Sequence, residues 1–345
     1  MPPIKRESEA DVIISDKQEL RRCVKQLVRR APVCEASLDF DVSHGEVGVE
    51  AMLDLWARPA ATPGEAMLRS TADQTPFSPD AKAMFAALDA MDLPVKDLDR
   101  AKAQQQEYDR GAYIREVLDT LRAKCVLVRV NAQMAAQIAF EDDRFEPLLA
   151  VDGAWFVPGR YGVDYAGAAR EIAQAAKACG ARNLVMDRFD TQAFRYCLLP
   201  LCQDMGFALH VYLHKQEEIA QFALLLDEFE GVRALAMADE GIERCLIDAA
   251  ASRVRLLACL GGAKHMGYAL EKLGTRFAAY SAKAALPEQM LGRWLLEKEN
   301  LWQALCECYL PLARTGYELE SSAIERDVRR ILCDNLHQLC RPESV

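Results

Sequence analysis

No Cys-x-x-Cys occurs in this sequence, although it holds 12 cysteines; the closest spacing is Cys306-Glu307-Cys308, inside a helical pattern. Paired thiols at that spacing are the usual mark of zinc ribbons and thioredoxin-like redox sites, so the expectation is a set of reduced, mostly buried small hydrophobes. No run reaches the roughly 18 uninterrupted apolar residues of a membrane span. The opening "MPPIKRESEADVIIS" lacks the apolar core of a signal peptide, which points to a cytoplasmic protein. Basic stripes interleaved with aromatics are also missing, and 42 Lys+Arg against 52 Asp+Glu give a net charge of −10, a poor balance for neutralising phosphates. Nucleic acid and membrane are therefore not expected partners; a homo-oligomer is left open. Internal repeats and low-complexity tracts are absent, and no G-x-G-x-x-G follows an early strand candidate.

What the chain does have is alternation. Asp16 or Ser15 can cap a helix in which Leu20, Cys23, Val24, Leu27 and Val28 recur at helical spacing. After it, apolar runs of strand length alternate with longer helical patterns: "VCEASLDF", "CVLVRVN", "PLLAVD", "NLVMD", "FALHVYL", "VRALAMA", "RVRLLACL" and "RFAAYS". Such near-continuous apolar runs suit parallel strands buried on both faces. Eight strand-helix units predict an α/β fold, a (β/α)8 TIM barrel in a single domain over 1–345. An open doubly wound sheet is the competitor, because alternation alone does not say whether the sheet closes. The gap between the first two strands is too long for one crossover, so 45–120 reads as a helical insertion. The tail puts Ile324, Val328, Ile331, Leu332, Leu336 and Leu339 on one face, a closing C-terminal helical segment.

Several segments together resemble the amidohydrolase superfamily of metal-dependent hydrolases, in particular its uronate-isomerase-like branch. That family's first strand ends D-x-H-x-H, its fifth carries a metal-binding His, its eighth often reads R-x-x-x-G-S-D, and a late helix reads like "ILxxNAxxLF". The matching stretches are "DFDVS" (39–43), "ALHVYLH" (208–214), "RFAAYSA" (276–282) and "ILCDNLHQLC" (331–340), so the resemblance covers most of the chain. It departs at the ligands. Asp41 and Ser43 stand where both imidazoles belong, Ala282 stands in the carboxylate position, and the sixth strand, "RALAMADE", offers no His. Zinc and its relatives want three or four converging donors, and losing several together implies that the usual metal is gone.

The resemblance places His210 at the fifth-strand ligand position. His44 points away from Asp39, Asp41 and Ser43 by strand parity. His214, four residues beyond His210 and about 13 Å along an extended strand, belongs to the rim. His265 follows the seventh strand, and His337 reads as structural. Asp41, Asp152 and Asp187 end strand candidates and could form an oxygen-rich Mg²⁺ or Mn²⁺ site, although such carboxylates are commonly helix caps. The loop "GAWFVPGRYGVDY" could hold a carboxylate or sugar ligand through Arg160, with Trp155 stacking and Asp152 at its base. Rim packing is the plainer role for its aromatics. Arg129 and Arg188 each need a partner.

The function expected on this resemblance is a divergent uronate-isomerase-like protein without the usual metal or other cofactor. It would bind or act on a small sugar-acid-like or carboxylate ligand at the barrel mouth. If it is catalytic, His210 would be the general acid or base and Asp41 and Asp187 would orient it. The alternatives are a hydrolase or isomerase keeping one divalent metal, Zn or Mn, on altered ligands, and a non-catalytic scaffold or interaction protein.

Overall fold

The eight apolar runs become eight parallel strands: β1 (Val33–Leu38), β2 (Ala123–Val130), β3 (Phe145–Ala150), β4 (Asn183–Met186), β5 (Ala208–Leu213), β6 (Arg233–Ala238), β7 (Leu256–Leu260) and β8 (Phe277–Ala279). They pair in sequence order, each parallel to the next, in one curled sheet. This computed structural model describes residues 13–14, 16–38, 79–91, 110–132, 135, 140, 142–160, 162–279 and 287–341. Asp39, Asp41, Ser43, His44, Tyr161 and Ala282 lie outside the described residues.

Each strand has two buried faces, as their near-continuous apolar sequences require. On β5, Leu209, Val211 and Leu213 join the core shared with the surrounding helices, whereas Ala208 and Tyr212 face an inner cluster with Cys34, Ala36, Cys125, Leu127, Leu148, Val185, Leu235, Met237, Cys259 and Ala278. Period-two alternation thus separates barrel interior from helix-facing exterior.

Among the described residues, β1 and β8 are not joined by strand pairing. The terminal helix over 321–340 packs against both. Its Cys333, Leu336, Leu339 and Cys340 belong to the inner cluster. Asn335 Nδ2 donates to the carbonyls of Thr275 (2.6 Å) and Phe277 (2.8 Å) at the start of β8. Arg233, the first residue of β6, donates to the carbonyls of Gln338 (3.2 Å) and Leu339 (2.6 Å) in the helix's last turn. These contacts all involve strand beginnings, so the helix plugs the amino-terminal end of the barrel and leaves the carboxyl end for chemistry. Short antiparallel pairs, Ile13–Ile14 with Leu319–Glu320 and Pro158–Gly159 with Gly162–Val163, lie outside the main sheet.

Asp16 is the cap of the first helix, accepting from Gln18 N (2.8 Å) and Glu19 N (3.1 Å). Two helices of the 45–120 region are described, Pro79–Ala90 and Arg110–Leu121, and the second runs directly into β2. The first packs on the long helix Pro287–Arg314 at Gly292, where a Cβ would stand 2.1 Å from Ala83 O. Gly292→Ala is therefore expected to destabilise by about 1–3 kcal/mol, through overpacking against backbone. A lower urea midpoint at unchanged slope would show it. Gly267→Ala, with nothing within 4 Å of its added Cβ, should match the parent or exceed it.

Candidate site at the carboxyl end of the barrel

The inward parity of four strands, extended one step, assembles the site. Arg129 follows Cys125 and Leu127 on the inner face of β2. Asp187 lies two residues after Val185 of β4, His214 two after Tyr212 of β5, and Asp239 two after Met237 of β6. All four stand at or just past the carboxyl ends of their strands, the end at which barrel enzymes carry their chemistry.

There they are joined by short polar contacts. Arg129 grips Asp187 with both guanidinium nitrogens, Nη1 to Oδ1 at 2.8 Å and Nη2 to Oδ2 at 2.5 Å. This is the bidentate geometry that orients a carboxylate most firmly. His214 Nε2 lies 2.8 Å from the Asp187 carbonyl, and its Nδ1 lies 2.9 Å from Asp239 Oδ2. A carbonyl only accepts hydrogen bonds and a carboxylate oxygen ordinarily does, so the two contacts favour the doubly protonated ring. Accordingly, the Asp187 carbonyl first and the Asp239 carboxylate second hold the His214 pKa above its usual value. Glu218, in the first turn of the next helix, accepts from His214 N at 2.7 Å and fixes the backbone where it leaves β5. The His214 and Asp239 side chains are 38% and 58% exposed, so a ligand in the mouth can reach them.

His210 is in a different place. It lies in the middle of β5, opposite Val185 and Leu235, with no exposed surface. Its Nε2 is 3.4 Å from Asn183 Oδ1, and burial drives its pKa down to about 3. Nδ1 has no protein partner, and neither has Asn183 Nδ2. This is a neutral imidazole four residues short of the mouth.

Asp187 is at the centre of the network. Asp152 is spent on a local cap, accepting from Ala154 N at 2.9 Å at the exit of β3. Trp155 packs partly buried against the helix-facing core, and Arg160 is exposed in the turn between the paired segments Pro158–Gly159 and Gly162–Val163. Between the helices that follow β6 and β7, His265 Nε2 lies 3.4 Å from Glu243 Oε1. Near the exit of β7, Glu297 accepts from Gly262 N at 2.9 Å, and burial raises its pKa to about 7.

Asp239 did not emerge from the sequence as a site residue, although it follows "RALAMA" at the inward parity. A search for imidazole on that strand passes over it. His214 read as rim, and nothing local in sequence shows that both its nitrogens meet acceptors from β4 and β6.

Do these residues fit the divalent metal that the resemblance implies? Among the described residues, no group of three or more His, Cys, Asp or Glu could hold a metal ion. His214 has both nitrogens engaged, and His210 is fully buried with Asn183 beside it. The described donors do not fit. Parity cannot be carried into the 39–43 segment either, because the pairing of β1 with β2 shifts register between Glu35 and Leu38.

No protein-family profile and no curated protein sequence matches this chain. Solved structures do. A uronate isomerase from Bacillus halodurans C-125 superposes with a TM-score of 0.79 over 95% of this chain and 97% of that one, at 15% identity. A "putative metal-dependent hydrolase" from Lactobacillus casei ATCC 334 superposes with a TM-score of 0.60 over 91% of this chain and 97% of its own, at 11% identity. At such low identity the likeness is one of fold: the chain is an α/β barrel built on the scaffold seen in a uronate isomerase and in a protein described as a metal-dependent hydrolase.

Proposed function

We propose that the protein binds a small, carboxylate-bearing, sugar-acid-like ligand at the carboxyl mouth of the barrel, and that His214 paired with Asp239 does the proton work on it. The observation that carries this reading is the chain Arg129–Asp187–His214–Asp239, which sets two cationic donors side by side at the ends of four strands. Arg129 and Asp187 hold the frame. A ligand carboxylate or hydroxyl that takes over an acceptor position on His214 receives a charge-assisted hydrogen bond. An imidazolium so placed can hand its proton to a ligand oxygen and recover it, the step needed beside a carbonyl in an isomerisation or hydrolysis. The assignment gives His214 the role that the sequence suggested for His210, because only His214 is exposed to the mouth. Sugar acids are named as the ligand class from the likeness to the uronate isomerase fold.

Titration with hexuronates and aldonates, against neutral hexoses as controls, tests it by calorimetry and thermal shift. Saturable binding of at least one acid is expected, weakened at least tenfold in His214→Gln and absent for neutral sugars. The pH sign follows from the raised pKa: binding holds while His214 is protonated and falls as pH rises through that pKa. Equal affinity in parent and His214→Gln, or no response to any acid, would sink the reading.

A second reading is favoured by the neighbours: a metal-dependent hydrolase or isomerase with altered ligands, drawing on Asp41 and other residues outside the described ones. A stoichiometric transition metal retained through dialysis, and lost with activity in His210→Ala, would establish it in place of the first.

A further inference from the structure

Four cysteines meet where the terminal helix plugs the barrel. Cys34 of β1 and Cys125 of β2 are directly paired across the sheet and both face inward. Cys333 and Cys340 reach the same inner cluster from the terminal helix. All four are buried, with 1% exposure or less. Within this group, Cys34 Sγ lies 3.1 Å from Cys333 Sγ, a contact between residues 299 positions apart. Cys125 is engaged elsewhere as well, its thiol donating to Glu146 Oε1 at 3.1 Å.

Buried cysteines commonly act as small hydrophobes, and that suffices for Cys197 and Cys202 in the outer core. It does not explain why Cys34 and Cys333 face each other sulfur to sulfur. Cys333 also lies in a π-type turn, Arg330–Asp334, inserted in the helix at the point where it meets the strands. Such turns are rare and gather at functional sites.

We propose that Cys34 and Cys333 form a redox pair, closing to a disulfide between the first barrel strand and the terminal helix when the protein meets hydrogen peroxide. Bringing the sulfurs from 3.1 Å to the ~2.05 Å of a disulfide needs about 1 Å of movement, within the range of side-chain rotation. The two thiols are also unequal. The hydrogen bond shared with Cys34 lowers the Cys333 pKa against burial and the Asp334 carboxylate, with Lys124 and Arg329 helping, whereas thiol hydrogen bonds with Cys125 and Cys333, and burial, raise that of Cys34 well above the ordinary range. The outcome is the same whichever thiol opens the reaction: with Cys333 as the attacking group, Cys34 resolves it.

In the first step the Cys333 thiolate attacks one peroxide oxygen; an S–O bond forms, the O–O bond breaks, and the departing hydroxide takes up a proton as water. In the second, Cys34 sulfur attacks the resulting sulfenic acid. The S–S bond forms, the S–O bond breaks, and the hydroxyl leaves with the Cys34 proton as a second water. Two thiols lose two electrons, and one peroxide becomes two waters. Hydrogen peroxide suits the site by size, since both sulfurs are buried. The bond would join strand and helix at the gap between β1 and β8, which strand pairing leaves unbridged among the described residues.

The test uses the full chain. Hydrogen peroxide is titrated in, the remaining thiols are alkylated under denaturing conditions, and intact mass and linked peptides are read. Loss of two hydrogens, ten alkylated thiols out of the 12 cysteines, and a fragment spectrum joining Cys34 to Cys333 are expected. The thermal midpoint should rise by roughly 5–10 °C, because the cross-link closes a very long loop, and dithiothreitol should reverse it. Cys34→Ala and Cys333→Ala should abolish the rise, and Cys340→Ala should keep it. A disulfide at any other pair, or oxidation that leaves Cys34 and Cys333 unlinked, overturns the proposal. Should the alanine variants fail to fold, the peptide map of the unaltered chain decides by itself.

Discussion

Replacing His210 with glutamine is expected to flatten the acid side of the stability profile by several kcal/mol. His210 has no exposed surface, and burial holds its pKa at about 3 against 6.5 for a free imidazole. Above pH 6.5 the ring is neutral whether the chain is folded or not. Below it the unfolded chain takes up a proton that the folded chain refuses, so stability present at neutral pH is lost as the pH falls towards 3. At 1.36 kcal/mol per pH unit, the loss reaches about 3 kcal/mol by pH 4.5 and on the order of 5 kcal/mol at pH 3. Glutamine does not titrate and can still donate to Asn183 Oδ1, so its curve lacks this slope. Urea unfolding of both proteins from pH 7.5 to 4.5 measures the difference. Parallel curves, or an imidazole resonance of His210 titrating near 6.5, would mean that the ring reaches water and would restore it as a candidate for the mouth.

Trp294→Ala should be strongly destabilising at neutral pH. Trp294 is among the largest fully buried side chains, and its Nε1 donates to Glu35 Oε2 at 2.7 Å on the completely buried carboxyl group of β1. Alanine removes the ring's burial and leaves a cavity, for about 3–5 kcal/mol. Loss of the donor to a buried carboxyl adds about 1–3 kcal/mol. That sum is a large part of the 5–15 kcal/mol that typically separates a folded domain from its unfolded chain. Trp294→Phe keeps most of the volume and loses the donor, so it should fall between parent and alanine. A phenylalanine variant as stable as the parent would show that the hydrogen bond to Glu35 contributes nothing. Trp302, in the same helix, is partly exposed, with Nε1 donating to Arg21 O at 3.1 Å and Lys25 Nζ 4.4 Å from its ring centroid. It anchors the first helix to the long one.

All eight strands were legible because parallel strands buried on both faces leave apolar runs that need no partner to be recognised. The Asp16 cap and the apolar face of the terminal helix were legible for a similar reason: both are local, set by spacings of two to four residues. The carboxyl-end site was only half legible. Asp187 could be placed by its position after β4, and Arg129 by the need of an arginine in a strand for a partner. Their pairing with each other spans 58 positions. His210 drew attention because it occupied a strand position associated with a ligand, yet depth along the strand decides whether a histidine can titrate.

By itself, the sequence determined the strand-helix alternation, the inward and outward faces, and the carboxylates that end the strands, since these follow from periodicity and local hydrogen bonding. Only the tertiary structure decided that the terminal helix plugs the amino-terminal end, that Cys34 meets Cys333, and that His214 stands between acceptors of Asp187 and Asp239. The physical reason is that pKa and pairing depend on which acceptors and how much water surround a group in space, and here those neighbours come from strands and helices 25 to 299 positions away.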